Sequence, residues 1–461
     1  MSARGRPDLG EDERRKLGRL FANRLGAQAK SADAPAPEPA AQGARPEATD
    51  FSTLPGYQEL RLQRAMAAVV GLENPFFRLH ETAAGATTVI DGKSFVNFSS
   101  YDYLGLNGCE PVRAAARRAI DLYGTSASAS RVVAGERPGH RALEAALAAH
   151  YGQEDCVVFV SGHGANVSTI GALMGPKDLI VHDSFAHNSI TLGAQLSRAE
   201  RRSFPHNDYD ALEDVLRTHR GAAQRCLIVV EGLYSMDGDS PDLARLVEIK
   251  RRHDAWLMVD EAHGLGVLGA RGFGLFEAAG VDPREVDIWM GTLSKTLAAC
   301  GGFVAGAQAL VEYLKCMSGG FVYSVGLSPP LAAAAEAALA LMRQEPERVG
   351  RLRAAGLCFL ASAKAAGLDV GLSAGEAIVP IVTGNSVGAV ALSQELFARG
   401  VNVQPIIHPA VPERGARLRF FVTSEHTREQ IAFTIGAVGR AIEAVNANPA
   451  LRDVCGFAQK G

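Results

Sequence analysis

What this 461-residue sequence lacks already excludes several classes of protein. No apolar run reaches the roughly 18 residues of a membrane-spanning helix, and no signal-peptide pattern opens the chain. The expectation is a cytoplasmic protein, neither spanning a membrane nor exported. Neither sign of charge dominates: 47 Lys and Arg stand against 50 Asp and Glu, a net charge of −3. With no basic stripe either, nucleic acid is not an expected partner. Cysteines are few, odd in number and scattered, at Cys109, Cys156, Cys226, Cys300, Cys316, Cys358 and Cys455. They show no metal-ligand spacing, so reduced thiols are expected, with no disulfide framework and no metal. No internal repeat is present.

What the sequence has is length and a rhythm. A chain of 461 residues with 47% hydrophobic content can bury more than one core, so two domains plus extras are expected. Residues 1–50 differ in kind, because Ala34 to Thr49 is rich in Ala, Pro and Glu with little to bury. A disordered extension is expected there, serving as a solvated tail or as a docking segment for a carrier protein or partner enzyme. Residues 51–105 read as an N-terminal arm, helical from Tyr57 to Val70, and the start of a small domain with a strand over 94–99. From 106 to 330, strand-like apolar runs alternate with Ala-rich helical ones at 113–123, 141–151, 166–174, 210–219 and 241–253. That alternation predicts a large α/β domain with a mainly parallel sheet covered on both faces. Beyond Pro329-Pro330 a helix over 331–343 leads into a smaller C-terminal α+β domain, 331–445, and residues 446–461 read as a tail.

The chemistry concentrates around Lys295, in Met290-Gly291-Thr292-Leu293-Ser294-Lys295-Thr296, and around Asp260, in Met258-Val259-Asp260-Glu261-Ala262-His263-Gly264. A lysine amine and an upstream carboxylate are the two groups that an enzyme using pyridoxal 5'-phosphate (PLP) must supply. The amine forms a Schiff base with the cofactor aldehyde, and the carboxylate keeps the pyridine nitrogen protonated so that the ring can take up electrons. Asp260 sits where the apolar run Ala255 to Val259 stops, a costly place for a charge without a partner. Upstream, the run Asp155 to Val160 enters Ser161-Gly162-His163-Gly164, a turn that aims backbone N–H groups and a helix N-terminus at an anion. His187, in Asp183-Ser184-Phe185-Ala186-His187-Asn188-Ser189, is placed to lie flat on the ring, and Ser235 follows the apolar run Cys226 to Val230. Each of these features alone has a structural explanation: a turn, a core histidine, a helix cap. Their joint occurrence in this order points to PLP.

At these residues the chain resembles the α-oxoamine synthase family of fold-type I PLP-dependent transferases, from about Leu54 to about Val445. Its marks are Tyr101-Asp102-Tyr103-Leu104-Gly105-Leu106, Glu231 through Asp239, Asp260-Glu261-Ala262-His263-Gly264, Gly291-Thr292-Leu293-Ser294-Lys295 and Arg417-Leu418-Arg419. The resemblance implies that Lys295 carries the Schiff base, Asp260 pairs with the pyridine nitrogen and His187 stacks on the ring. It implies that His263 bonds the cofactor's phenolic oxygen with Ser235 supporting that region. Thr292 and the Ser161-Gly162-His163 backbone would bind phosphate, helped by Ser324 from a second subunit of a homodimer. Arg419 would grip the amino-acid carboxylate.

The implied reaction is a decarboxylating condensation of serine, glycine or alanine with an acyl thioester, on CoA or on an acyl-carrier protein, giving a 3-keto amine. Lys295, His187, Asp260 and His263 are the expected catalytic residues. Three departures refine this. His163 stands where relatives carry Phe or Tyr, which leaves it a backbone role only. Tyr101 matches the serine palmitoyltransferase branch, favouring serine and sphingolipid-like chemistry. Ile406-Ile407-His408-Pro409 lacks the arginine found there in oxononanoate synthases and serine palmitoyltransferases, which weakens the case for a pimeloyl donor and also for strict identity with serine palmitoyltransferase. Two alternatives stay open: another fold-type I enzyme such as an aminotransferase, and a non-catalytic scaffold subunit, which would be expected to lack Lys295.

Overall fold

The computed structural model describes residues 49–83 and 85–455. The extension expected over residues 1–50 lies almost wholly outside the described residues. The strands run in chain order as β1 (Thr87–Ile90), β2 (Lys93–Asn97), β3 (Asp155–Phe159), β4 (Leu179–Asp183), β5 (Glu200–Phe204), β6 (Cys226–Glu231) and β7 (Trp256–Asp260). Then follow β8 (Ile288–Thr292), β9 (Gly302–Gly306), β10 (Ile378–Val382), β11 (Val401–Asn402), β12 (Pro405–Ile406) and β13 (Arg417–Phe421).

A seven-stranded sheet of order β3-β9-β8-β7-β6-β4-β5 forms the centre. Neighbours from β8 to β5 pair parallel, while β9 runs antiparallel to both β3 and β8. Every residue of β4, β6, β8 and β9 is buried, as expected for strands covered by helices on both faces. At the edge, β5 exposes its first four residues, Glu200, Arg201, Arg202 and Ser203, a charged border that discourages further strand pairing. Two small sheets complete the molecule, β1-β2-β11 and β10-β13-β12, so the fold is the mainly parallel α/β large body with a smaller C-terminal α+β part.

Local signals set the helices. Asp242 caps Leu243–Arg252 by accepting the Arg245 N–H at 3.1 Å, and Lys250, Arg251 and Arg252 fill its last turn, favourable charges at a helix C-terminus. Glu110–Tyr123 ends at Gly124, whose positive φ of 73° suits a residue without a side chain. The helix expected over 331–343 runs Pro329–Gln344 and packs on Glu110–Tyr123. Pro449–Cys455, in the segment read as a tail, forms a short helix. Trp289 on β8 anchors the core: it is fully buried, stacks on Tyr151 at 5.0 Å and donates its indole N–H to the Pro283 carbonyl at 2.8 Å. Burying such a side chain contributes on the order of 3 kcal/mol.

By contrast, the helix Pro55–Val69 has no fully buried residue: Ala67 near its end packs partly against the chain's own core, while Tyr57 within it and Phe51 and Leu54 before it are exposed. Among the described residues no helix is long and apolar enough to cross a membrane.

Candidate active site

The parallel strands all end on one side of the central sheet, where ligand sites of open α/β folds lie. Asp260 is the last residue of β7 and pairs in register with Glu231, the last of β6. Lys295 follows β8 by three residues, His187 follows β4 by four, and Ser161 follows β3 by two. The periodicity that makes buried strands therefore also delivers these side chains to one cleft.

Asp260 is 4% exposed. Its Oδ1 accepts the Ala262 N–H at 2.9 Å and its Oδ2 accepts from Asn166 Nδ2 at 2.7 Å. Lys295 is half-buried, and burial pushes its amine down to about 8, against the opposing pull of Asp260 and Glu231. An amine so placed has a far larger neutral fraction near pH 7 than an exposed lysine, which is the form that attacks an aldehyde. Its Nζ lies 5.7 Å from the centre of the Tyr101 ring. Tyr101 in turn packs edge-on against Phe421 at 4.6 Å and His263 at 6.1 Å.

His263 is buried, and its Nδ1 lies 2.6 Å from the hydroxyl of the fully buried Tyr103. Burial and the nearby Lys295 and Arg419 charges hold the imidazole well below its ordinary range, so it is neutral at pH 7. His187 caps the helix Asn188–Ser197 by accepting the Ser189 N–H, and its ring faces His163 at 6.3 Å. Desolvation lowers its pKa, aided by Lys295, His163 and Arg419 and opposed by Asp260.

The Ser161-Gly162 turn starts the helix Gly162–Leu173, with the Ser161 hydroxyl accepting the Gly164 N–H at 3.2 Å. A Cβ at Gly162 would stand 2.7 Å from Thr292 Oγ1, so only glycine lets the turn close on Thr292. The result is a cradle of helix N-terminal N–H groups beside a hydroxyl, suited to a phosphate. His163 is exposed.

Arg419 occupies the middle strand of the β10-β13-β12 sheet. It donates from Nη1 to the Ser235 carbonyl at 2.8 Å, lies over Phe421 at 4.6 Å, and keeps its buried Nε without a partner among the described residues. Two residues earlier on the same face of β13, Arg417 donates to the Met236 carbonyl at 3.1 Å and to Asp237 Oδ1 at 2.7 Å. The turn that both arginines grip is tight: a Cβ at Gly238, where φ is 75°, would lie 2.2 Å from the Ile378 carbonyl. Together these contacts lock the smaller part of the molecule onto the loop after β6 and bring Arg419 to the cleft.

Lys295, Asp260, His187, His263, Ser235, Tyr101 and Arg419 thus converge, with Ser161, Gly162, His163 and Thr292 at one end. Ser324 does not join them within one chain. It sits in an exposed turn beside Tyr323, which is 90% exposed, and its N–H donates to the Phe321 carbonyl. Sequence reasoning passed over Asn166, Ser189, Tyr103 and Glu231. Glu231 is buried with Oε1 unpartnered, and its carboxyl is pushed up to about 8, first by burial and then by Asp260. Tyr103, Ser189 and Glu231 lie inside the motifs and Asn166 two residues past Gly164, but nothing in their spacing marks their partners. Ile407 is half-buried and His408 exposed, just past β12. No group of three or more His, Cys, Asp and Glu suited to a metal occurs among the described residues.

The donor set fits a pyridoxal phosphate: a shielded amine of lowered pKa, a buried carboxylate at a strand end, a phosphate cradle and a flanking imidazole. Comparison with known proteins agrees. A family model described as aminotransferase class I and II matches residues 93–438. Relatives bearing the name 8-amino-7-oxononanoate synthase include one from Methylococcus capsulatus, 40% identical over 79% of this chain and 94% of its own. Another, from Anaeromyxobacter sp. (strain K), is 42% identical over 78% of this chain and 89% of its own. The chain belongs to the α-oxoamine synthase family. Solved structures that superpose on it include the Sphingomonas wittichii serine palmitoyltransferase, with TM-score 0.81 and 31% identity, covering 86% of this chain and 99% of that one. A high-resolution structure of SPT with PLP internal aldimine superposes with the same score and coverage at 29% identity. Membership of this family makes the protein an enzyme and sets aside the reading as a scaffold without activity.

Proposed function

We propose that this chain, as a cytoplasmic homodimer, condenses a small amino acid with an acyl thioester. A carbon–carbon bond forms between the amino-acid Cα and the acyl carbonyl, the thiol and carbon dioxide leave, and a 3-keto amine is released. The cofactor is pyridoxal 5'-phosphate; when bound, its protonated ring takes up the electron pair left at Cα.

In this reading Lys295 holds the cofactor covalently, then takes and returns the Cα proton as general base. The Asp260 carboxylate keeps the ring nitrogen protonated. The Ser161-Gly162-His163 backbone and Thr292 take the phosphate, joined by Ser324 of the partner subunit. His263, braced by Tyr103, meets the ring hydroxyl beside Ser235. His187 covers one ring face and donates from Nε2, and Arg419 takes the amino-acid carboxylate through its fork. The observation that carries the reading is the meeting of Lys295, its Nζ 5.7 Å from the Tyr101 ring centre, with the buried Asp260 and with Arg419 in one cleft beside the Gly162–Thr292 cradle. The largely exposed arm helix Pro55–Val69 supports the dimer.

For the acyl donor, Ile407 offers apolar contact where an arginine would bind a distal carboxylate. A medium-to-long acyl chain without a terminal charge is therefore favoured, delivered by CoA or an acyl-carrier protein, with serine ahead of glycine and alanine because of Tyr101. A second reading rests on the names of the relatives, since 8-amino-7-oxononanoate is a carboxylated product. It favours alanine with a pimeloyl donor, and biotin rather than sphingolipid formation. Parallel kcat/KM measurements with palmitoyl and pimeloyl thioesters, each with serine, alanine and glycine, decide between them. A preference for pimeloyl of tenfold or more, about 1.4 kcal/mol, replaces the first reading with the second.

A further inference from the structure

Asn166 and Ser189 lie beneath the cleft, 1% and 0% exposed. Asn166 Nδ2 is 2.7 Å from Asp260 Oδ2 and 2.9 Å from Ser189 Oγ. An ionised carboxylate only accepts, so the amide must present its NH2 to Asp260, which fixes the otherwise ambiguous orientation of Asn166. Its second hydrogen is then directed at Ser189 Oγ, which accepts it. That hydroxyl has one hydrogen left to give, and His187 Nδ1 lies 2.7 Å away. The Ser189 backbone N–H, which can only donate, lies 3.3 Å from the same ring nitrogen. Every donor therefore points the same way, from Asn166 through Ser189 to an unprotonated Nδ1. Asn166 Oδ1 is buried without a partner among the described residues, so the side chain is held by what its nitrogen donates.

We infer that Asn166 and Ser189 are positioning residues that hold His187 as the neutral imidazole protonated at Nε2 and tie its orientation to the Asp260 carboxylate. Protonating Nδ1 would set an N–H against the Ser189 N–H and strand the Ser189 hydroxyl proton, so the chain of donors opposes the imidazolium as well as the other tautomer. His187 is thereby committed to donating from Nε2 toward the cleft. This deepens the proposed function by naming what sets the state of its ring-covering imidazole.

The test is nitrogen-15 NMR of histidine side chains in the full-length, cofactor-loaded protein, with the His187 signal assigned by its loss in His187→Asn. The expected result is a neutral ring protonated at Nε2 at pH 7. In Ser189→Ala, which keeps the backbone N–H, the Nδ1 shift should move toward that of a ring averaging both tautomers. The amino-acid kcat/KM should fall roughly tenfold while cofactor affinity stays within twofold, and Ser189→Thr should restore both. A His187 protonated at Nδ1 in the wild type overturns the inference, as does a Ser189→Ala signal and kcat/KM both equal to wild type. The NMR readout does not require turnover, so failure of the acyl-transfer reading would show in the assays while the tautomer result stood on its own.

Discussion

His206 and Asp239 meet at 2.8 Å, Nε2 to Oδ2, while Nδ1 of the same ring lies 3.0 Å from Asp183 Oδ1. One imidazolium thus bridges the end of β4, whose loop carries His187, and the turn that carries Ser235. Phe185 stacks on one face of the ring at 4.2 Å, and Tyr234 meets it edge-on at 4.4 Å. The two carboxylates raise His206 to about 9 against the desolvation that would lower it.

The bridge predicts a pH dependence of stability. Since the folded pKa lies above the ordinary 6.5, the stabilisation is full below about pH 6.5 and is lost as pH rises through about 9. His206→Ala would leave the buried Asp183 without its cation and should cost on the order of 3 kcal/mol at neutral pH. Thermal melts from pH 6 to 10 check both: the wild type should lose stability across that upper window, and the variant should not show the same loss.

Lys295→Ala should abolish turnover while leaving cofactor binding measurable, because the phosphate cradle and Asp260 remain. Borohydride reduction followed by peptide mass analysis should place the cofactor on Lys295 in the wild type and nowhere in the variant. Because burial lowers the amine to about 8, capture of added cofactor by the apoprotein should quicken with pH and level off above about 8. A rate that keeps rising through pH 10 would indicate an ordinary exposed lysine instead.

Asp260→Asn is nearly isosteric but carries no charge to stabilise a protonated pyridine nitrogen. The expected loss in kcat is roughly 100-fold to 1000-fold, about 3 to 4 kcal/mol, comparable to losing a preorganised electrostatic contact in other enzymes. Cofactor affinity should change much less. Steady-state kinetics alongside a cofactor titration separate the two effects, and a kcat within threefold of wild type would remove Asp260 from its role.

Much of this was legible in the sequence because it obeys local rules. β6 and β7 read as apolar runs since both faces of the sheet are covered, and Asp260 and Lys295 stand out because a charge at the end of such a run needs a reason. Other features obey no local rule. Asn166 meets Asp260 across 94 positions, and Tyr103 meets His263 across 160; pairs so distant leave no periodicity. β9 begins and ends in glycine and runs against its neighbours, so nothing in Gly302 to Gly306 signals a buried strand. The helix Asn188–Ser197 mixes Ser, Thr, Gly and Gln with its apolar residues and announces itself weakly. Ser324 shows a different limit, since its expected work lies on a second subunit.

Arg417 and Arg419 share one face of β13, and their substitution should separate holding the fold from holding a substrate. Arg417 is spent on Asp237, buried on both sides at 2.7 Å. Arg417→Ala strands that carboxylate and should cost about 3 kcal/mol or more, lowering the melting temperature and, through the loosened turn, activity in general. Arg419 uses Nη1 on the Ser235 carbonyl and leaves Nε free. Arg419→Lys keeps a charge but loses the planar fork. Its KM for the amino acid should rise tenfold or more, with little change in melting temperature. Paired melts and kinetics test the division: an Arg419→Lys enzyme with normal KM, or one that fails by unfolding, would return Arg419 to the structural role of its neighbour.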